Sequence, residues 1–212
     1  MERMIAVGLL ILAGSLLAAS PAVDPDGGQE PPSRVRGLEK WTVDYAPGPM
    51  RLYRDAASDT LYWYATFTLT NRTGQDRRLA PRWELLDEEG RLVPAGQGVD
   101  SDVTRAILKL LNDPQLEETS AIIGEIGQGV EMAKTGLVVF PAGPEARKFA
   151  VLVSGLSSER GTLKDPATGQ ELVARKTLCI DYHLPGERSA LSGPVPLAEP
   201  PSGTANPRWI MR

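Results

Sequence analysis

One cysteine and one histidine, Cys179 and His183, are all that this chain offers to thiol or imidazole chemistry. The lone thiol excludes an intramolecular disulfide, so a core must be held by packing rather than by covalent staples. The lone imidazole excludes a metal site of the usual kind built on several histidines. Cationic excess is missing as well. The 23 Lys and Arg stand against 27 Asp and Glu, a net charge of −4 without the basic balance of a nucleic-acid binder. Beyond residue 19 there is no apolar run approaching the ~20 residues that a membrane-spanning helix needs.

What is present is an ordinary globular composition, 42% hydrophobic, which excludes a disordered chain. Gly (21) and Pro (18) are frequent, about 18% of the chain against roughly 12% in average usage, so turns are expected often. The beginning reads as a targeting segment. Arg3 and the amino terminus are followed by an apolar and small-residue stretch from Ile5 to Ala19, and Ser20-Pro21-Ala22 supplies small residues for cleavage after Ala22. An uncleaved anchor is the alternative, and the absence of a nearby cysteine excludes lipid attachment there. Removal of 1–22 takes away Glu2 and Arg3, leaving the charge at −4. Residues 23–37 are Pro- and Gly-rich with almost nothing to bury, and are expected to be a flexible linker.

From 38 to 184 the spacing is that of strands. In "LYWYATFTLT" (61–70), Leu61, Trp63, Ala65, Phe67 and Leu69 share one face, and Tyr62, Tyr64 and three threonines share the other. Both sets favour β structure, which predicts a central strand with Trp63 and Phe67 in the core. Asn71-Arg72-Thr73-Gly74 then predicts a turn. The same residues match an N-glycosylation pattern, which the turn explains equally well. Leu79, Trp83 and Leu85 continue in phase, with Pro81 predicting an edge strand or a bulge. Further strands are expected at 38–45, with Trp41 on its apolar face, and at 50–54, 136–140, 148–156 and 176–184. A hairpin is expected around Asp165–Gly169. Seven to nine short strands predict a mostly β chain, an antiparallel two-sheet β-sandwich.

One insert, 101–126, breaks the β pattern. Val103, Ile107, Leu110 and Leu111 fall at helical spacing behind Asp100 or Ser101 as cap. Asn112-Asp113-Pro114 predicts a stop and a second helix carrying Leu116, Ile122, Ile123 and Ile126. The insert is expected to cover one end or face of the sandwich and to be its partner-facing element. Residues 185–212 contain six prolines up to Arg208 and are expected to form an irregular tail whose end, 209–211, docks back through Trp209.

Taken together, "YWYATFTLTNRTGQDRRLAPRWELLDEEG", "GEIGQG", "GLVVFP", "FAVLVSGLS", "LKDPATGQE", "KTLCIDYHLPGE" and "WIMR" resemble an uncharacterised family of secreted bacterial proteins. The aromatic strand leading into a "TN-x-T-G" turn is similar to bacterial immunoglobulin-like accessory modules. The resemblance covers nearly all of 38–212. It implies export and an immunoglobulin-like sandwich, and it brings no activity, cofactor or catalytic residue. Cys179 and Glu187 depart from that family's commoner residues.

Cys179, Asp181 and His183 alternate along one strand and name a nucleophile, an acid and a base. Cα atoms two apart on a strand are nearly 7 Å apart, and Cys179 and His183 are roughly twice that, too far for the ~3 Å contact that a nucleophile and its base need. Asp87-Glu88-Glu89 reads as a solvated turn, and "GEIGQG" (124–129) lacks the strand-then-helix setting of a phosphate loop. No catalytic, cofactor or metal residue is assigned. The expected function is therefore that of a non-enzymatic envelope or extracellular module. Its expected partner is another envelope or extracellular protein, with no nucleic acid and no stable membrane span. A thiol enzyme or small hydrolase using Cys179, or a small-ligand carrier, is the alternative.

Overall fold

In the computed structural model, residues 39–143, 147–187, 191, 193–200 and 202–212 are described. The expected targeting segment and linker, 1–37, lie outside them. Contacts divide the chain at this point, into Met1–Leu38 and Glu39–Arg212, and only the second unit is described here.

Strand residues dominate. The first half of the unit contains β1 (Asp44–Arg54), β2 (Leu61–Asn71), β3 (Arg77–Leu79), β4 (Arg82–Leu86), β5 (Leu92–Pro94), α1 (Ser101–Leu111), β6 (Leu116–Glu118) and α2 (Thr119–Ile122). It continues with β7 (Gly124–Ile126), β8 (Gly129–Pro141), β9 (Lys148–Ser154), β10 (Arg160–Lys164), β11 (Glu171–His183) and β12 (Arg208–Met211). One sheet has the order β1-β2-β8-β6, a second β10-β11-β9-β4-β5 with β12 also on β11, and β3 pairs β7 alone. Arg175 is bonded to Arg212 while being the register partner of Arg160, and Leu178 pairs both Val153 and Trp209. β9 and β10 therefore follow each other along one side of β11, and β12 takes the other.

The two larger sheets share an apolar core that contains Trp63, Phe67, Trp83, Phe140, Val151 and Ile180. Two aromatic columns run through it. Tyr45 stacks on Phe67 at 5.4 Å, and Phe67 meets Trp83 at 4.7 Å with the rings tilted by 34°. Trp63 stacks on Phe149 and Phe149 on Tyr182, both at 5.2 Å. Such offset pairs add about 0.5–1.5 kcal/mol each beyond area burial. Phe67 lies opposite Gly136, where a Cβ would stand 2.4 Å from the ring edge, so glycine there makes room for the ring.

The second face of β2 is also buried. Tyr62 and Tyr64 pack with Leu137 and Val139 beneath Val103 and Ile107 of α1. The insert thus covers the outer face of the four-stranded sheet. Asp100 caps α1 by accepting from the Asp102 N–H, and Asn112 ends it in a left-handed conformation, its N–H donating to the Leu108 carbonyl.

Several expectations need correction. The described residues hold twelve strands rather than seven to nine, because β3, β5, β6 and β7, of three residues each, are too short to show an alternation. The strands expected at 38–45 and 50–54 are one strand, β1, with a register shift between Pro47 and Met50. Trp41 precedes it. Pro81 marks neither an edge nor a bulge. It separates β3 from β4, and β4 is an interior strand between β5 and β9. The second helix of the insert is present but begins later and is shorter than predicted: Asp113 accepts from the Gln115 N–H in a turn, 116–118 pairs with β8 in parallel, and α2 spans only Thr119–Ile122. The sheet also continues past 184, since β12 belongs to it.

Candidate functional site

Alternation along β11 directs Leu178, Ile180 and Tyr182 into the core and leaves Cys179, Asp181 and His183 on the outer face. The Cys179 Sγ lies 3.6 Å from Asp181 Oδ1. The other Asp181 oxygen accepts from Arg208, and Arg212 bonds Glu84 of β4 on the same face. Between these two ion pairs, Cys179 packs with Ala150, Leu152, Leu86 and Ile210 and is only 4% exposed. Burial pushes its thiol up to about 11, and the Asp181 carboxylate acts in the same direction. A nucleophilic cysteine needs the opposite shift.

His183 does not complete a dyad. Four residues of strand place it roughly 13 Å from Cys179. Its backbone N–H donates to the Pro196 carbonyl, part of a short run in which 196–198 lies along β11. That run is held by Asn206, whose side chain accepts from the Asp181 N–H and donates to the carbonyls of Asp181 and Ala198. Among the described residues no cluster of three or more His, Cys, Asp or Glu is arranged to hold a metal ion.

Arg208, Arg212 and Asn206 were not singled out from sequence. The available signal was the alternation in "RWIMR": Arg208, Ile210 and Arg212 fall on the outer face, Trp209 and Met211 on the inner. Trp209 lies under the Lys176 ammonium, 5.2 Å from the ring centroid. Its neighbours Thr42, Tyr45, Thr70, Arg72 and Leu178 line a cleft of about 440 Å³.

Two wider concavities meet at the opposite end of β11. A groove of about 840 Å³ is bordered by Lys148, Asp181, His183, Leu197 and Arg208. A mouth of about 660 Å³ between the sheets has Trp63 and Phe149 at its base and Glu88, Glu89 and Arg91 at its rim. Their charges are mostly spent internally, in Asp87–Arg91, Glu89–Arg91 and Asp181–Arg208 pairs. Asp87-Glu88-Glu89 is the expected turn, closed by Asp87 accepting from the Arg91 backbone N–H.

The β10–β11 hairpin has a different character. Its turn is tied by Asp165, which accepts from Ala167 and Thr168. Leu163, Leu172 and Val173 are 43%, 51% and 70% exposed, an apolar surface on both faces of a two-stranded ribbon. Arg160, Arg175 and Arg212 form one row across β10, β11 and the end of β12. No family model, curated protein or solved structure matches the chain.

Proposed function

We propose that this chain is an exported, immunoglobulin-like sandwich module that works by contact with another envelope or extracellular protein, without catalysis. The sealed thiol carries this reading: the sole cysteine lies beneath two ion pairs and is held protonated by its surroundings. The signal-like start of the sequence supports export. Two sheets around one aromatic core, antiparallel except where β6 joins β8, support the immunoglobulin-like topology, as does the passage of 41–43, which bonds 156–158, directly into β1 of the other sheet. Among the described residues no helix is long and apolar enough to cross a membrane.

Alkylation tests the reading. In the native chain at neutral pH, Cys179 should react with iodoacetamide only at the rate at which the chain opens, and quickly in guanidinium. Rapid native labelling, or inhibition by it of a measurable turnover, would overturn the contact reading in favour of a thiol enzyme.

A further inference from the structure

Sheet edges with unpaired backbone groups invite another strand, and folded chains commonly blunt them. Here β1 is blunted by Pro47, Pro49 and a register shift, and β5 and β6 are only three residues long. β10 is not blunted in this way. Its pairing is fixed by bonds of the Lys176 N–H to the Glu159 carbonyl and of the Asp165 N–H to the Gln170 carbonyl. In an antiparallel ladder, inward and outward groups alternate. Glu159, Gly161, Leu163 and Asp165 therefore bond β11, and the N–H and C=O of Arg160, Thr162 and Lys164 point away from the sheet. No described residue takes them up.

Two of these residues, Arg160 and Lys164, carry charge, and Lys164 stands opposite Glu171. Arg160 and Arg175 face each other across the ribbon, and Arg212 continues the row. Arg212 is paired with Glu84, but neither Arg160 nor Arg175 has an ion-pair partner among the described residues. Like charges directly opposite on adjacent strands destabilise a sheet. Among the described residues no carboxylate pairs with Arg160 or Arg175, although the overall charge of the chain is −4.

We infer that the outer edge of β10 receives an extended, carboxylate-bearing segment of a partner protein as an additional strand. The inference rests on the contact reading above and supplies its partner's chemistry. Backbone groups at Arg160, Thr162 and Lys164 bond the incoming strand, and alternate carboxylates on that strand meet Arg160 and Arg175. Leu163 and Leu172, on the opposite face, receive its intervening apolar side chains. A strand rich in lysine is repelled, so the cations that prevent indiscriminate pairing also select the partner. An anionic lipid surface matches the charges but not the row of backbone donors and acceptors.

The test uses the full chain and fluorescein-labelled peptides alternating glutamate with valine, threonine or tyrosine, read by anisotropy. Lysine analogues, backbone N-methylated versions and phosphatidylglycerol vesicles are the comparisons. The glutamate peptides should bind, and Arg160→Glu with Arg175→Glu should weaken them by about tenfold or more, as expected for lost charge pairs. Thr162→Pro removes one outward N–H without touching the pairing to β11. It should weaken binding while the far-ultraviolet circular dichroism is unchanged. Arg175→Gln should raise the melting temperature of the free chain and lower peptide affinity, a pair of effects that a purely structural arginine does not produce. Equal affinity for N-methylated peptides or for vesicles would reduce the row to a non-specific cationic surface and overturn the inference. Failure of every glutamate peptide to exceed its lysine analogue would do the same. Either result leaves the slow native alkylation of Cys179, and with it the contact reading, unaffected.

Discussion

Asn71 is fully buried and has every side-chain hydrogen-bonding group in use. Its Oδ1 accepts from the N–H and hydroxyl of Thr73, and its Nδ2 donates to the carbonyls of Gln75 and Ile126. The glycosylation pattern at 71–73 is therefore a turn in this fold, with the nitrogen enclosed. Asn71→Ala should cost about 1–3 kcal/mol in a urea titration, the penalty for unsatisfied buried groups. Asn71→Asp, nearly the same shape, should cost at least as much, because it sets a carboxylate oxygen against two carbonyls. Cys179 gives a prediction in pH. Its ordinary value of 9.0 rises to about 11 in the fold, so the unfolded chain loses the proton first. The stability due to this group is complete below pH 9 and is lost as pH rises toward 11. Tyr182, pushed up to about 12 by burial, acts the same way at higher pH. Urea midpoints of the wild type and Cys179→Ala should therefore converge between pH 9 and 11; a constant difference would show that the thiol titrates normally.

At the level of elements, β12 acts as a latch. Arg208 and Arg212 cover Cys179 from one side of β11, and Ile210 fills the space between them. A chain ending at Pro207 should keep its two sheets but expose the thiol, so iodoacetamide labelling in native buffer should accelerate strongly. Unchanged labelling would mean that Leu86, Ala150 and Leu152 seal the thiol alone. α1 makes a comparable claim. Ile107 is fully buried on the outer face of β2 and β8, and Ile107→Ala should cost about 2–5 kcal/mol, measured by thermal melt. Here the limits of sequence reading are visible. α1 was legible because eleven residues allow three turns of periodicity and both ends carry caps. The segment after it was misread. Leu116, Ile122 and Ile126 suit a helical stripe, but Leu116 pairs with β8 while Ile122 and Ile126 enter the main core, a tertiary demand that local spacing does not record. Trp63, Phe67 and Trp83 were legible as core because alternation fixes a face. The burial of Tyr62 and Tyr64 was not, since it depends on where α1 returns.

At the scale of the molecule, the sandwich and the docking of 209–211 are legible from local rules, and the strand pairing by which that end docks is not. β11 and β12 are joined by a Pro-rich stretch, and nothing within "RWIMR" states that its arginines will reach Asp181 and Glu84. The row formed by Arg160, Arg175 and Arg212 was hidden for the same reason, being assembled by register between distant segments. The pairing of Arg212 with Arg175 has one more result. Next to Arg175, the Lys176 ammonium donates to the Thr42 hydroxyl, so the two limits of the described unit converge on one pair of neighbouring residues. A short Gly-Ser bridge from Arg212 to Trp41 should then close the unit into a ring, and new termini can be opened in the exposed turn between Thr168 and Gly169. Such a circularly permuted chain should melt cooperatively with its Cys179 still protected. If it does, the place at which this polypeptide begins and ends is incidental to its architecture, while the direction of every strand is kept.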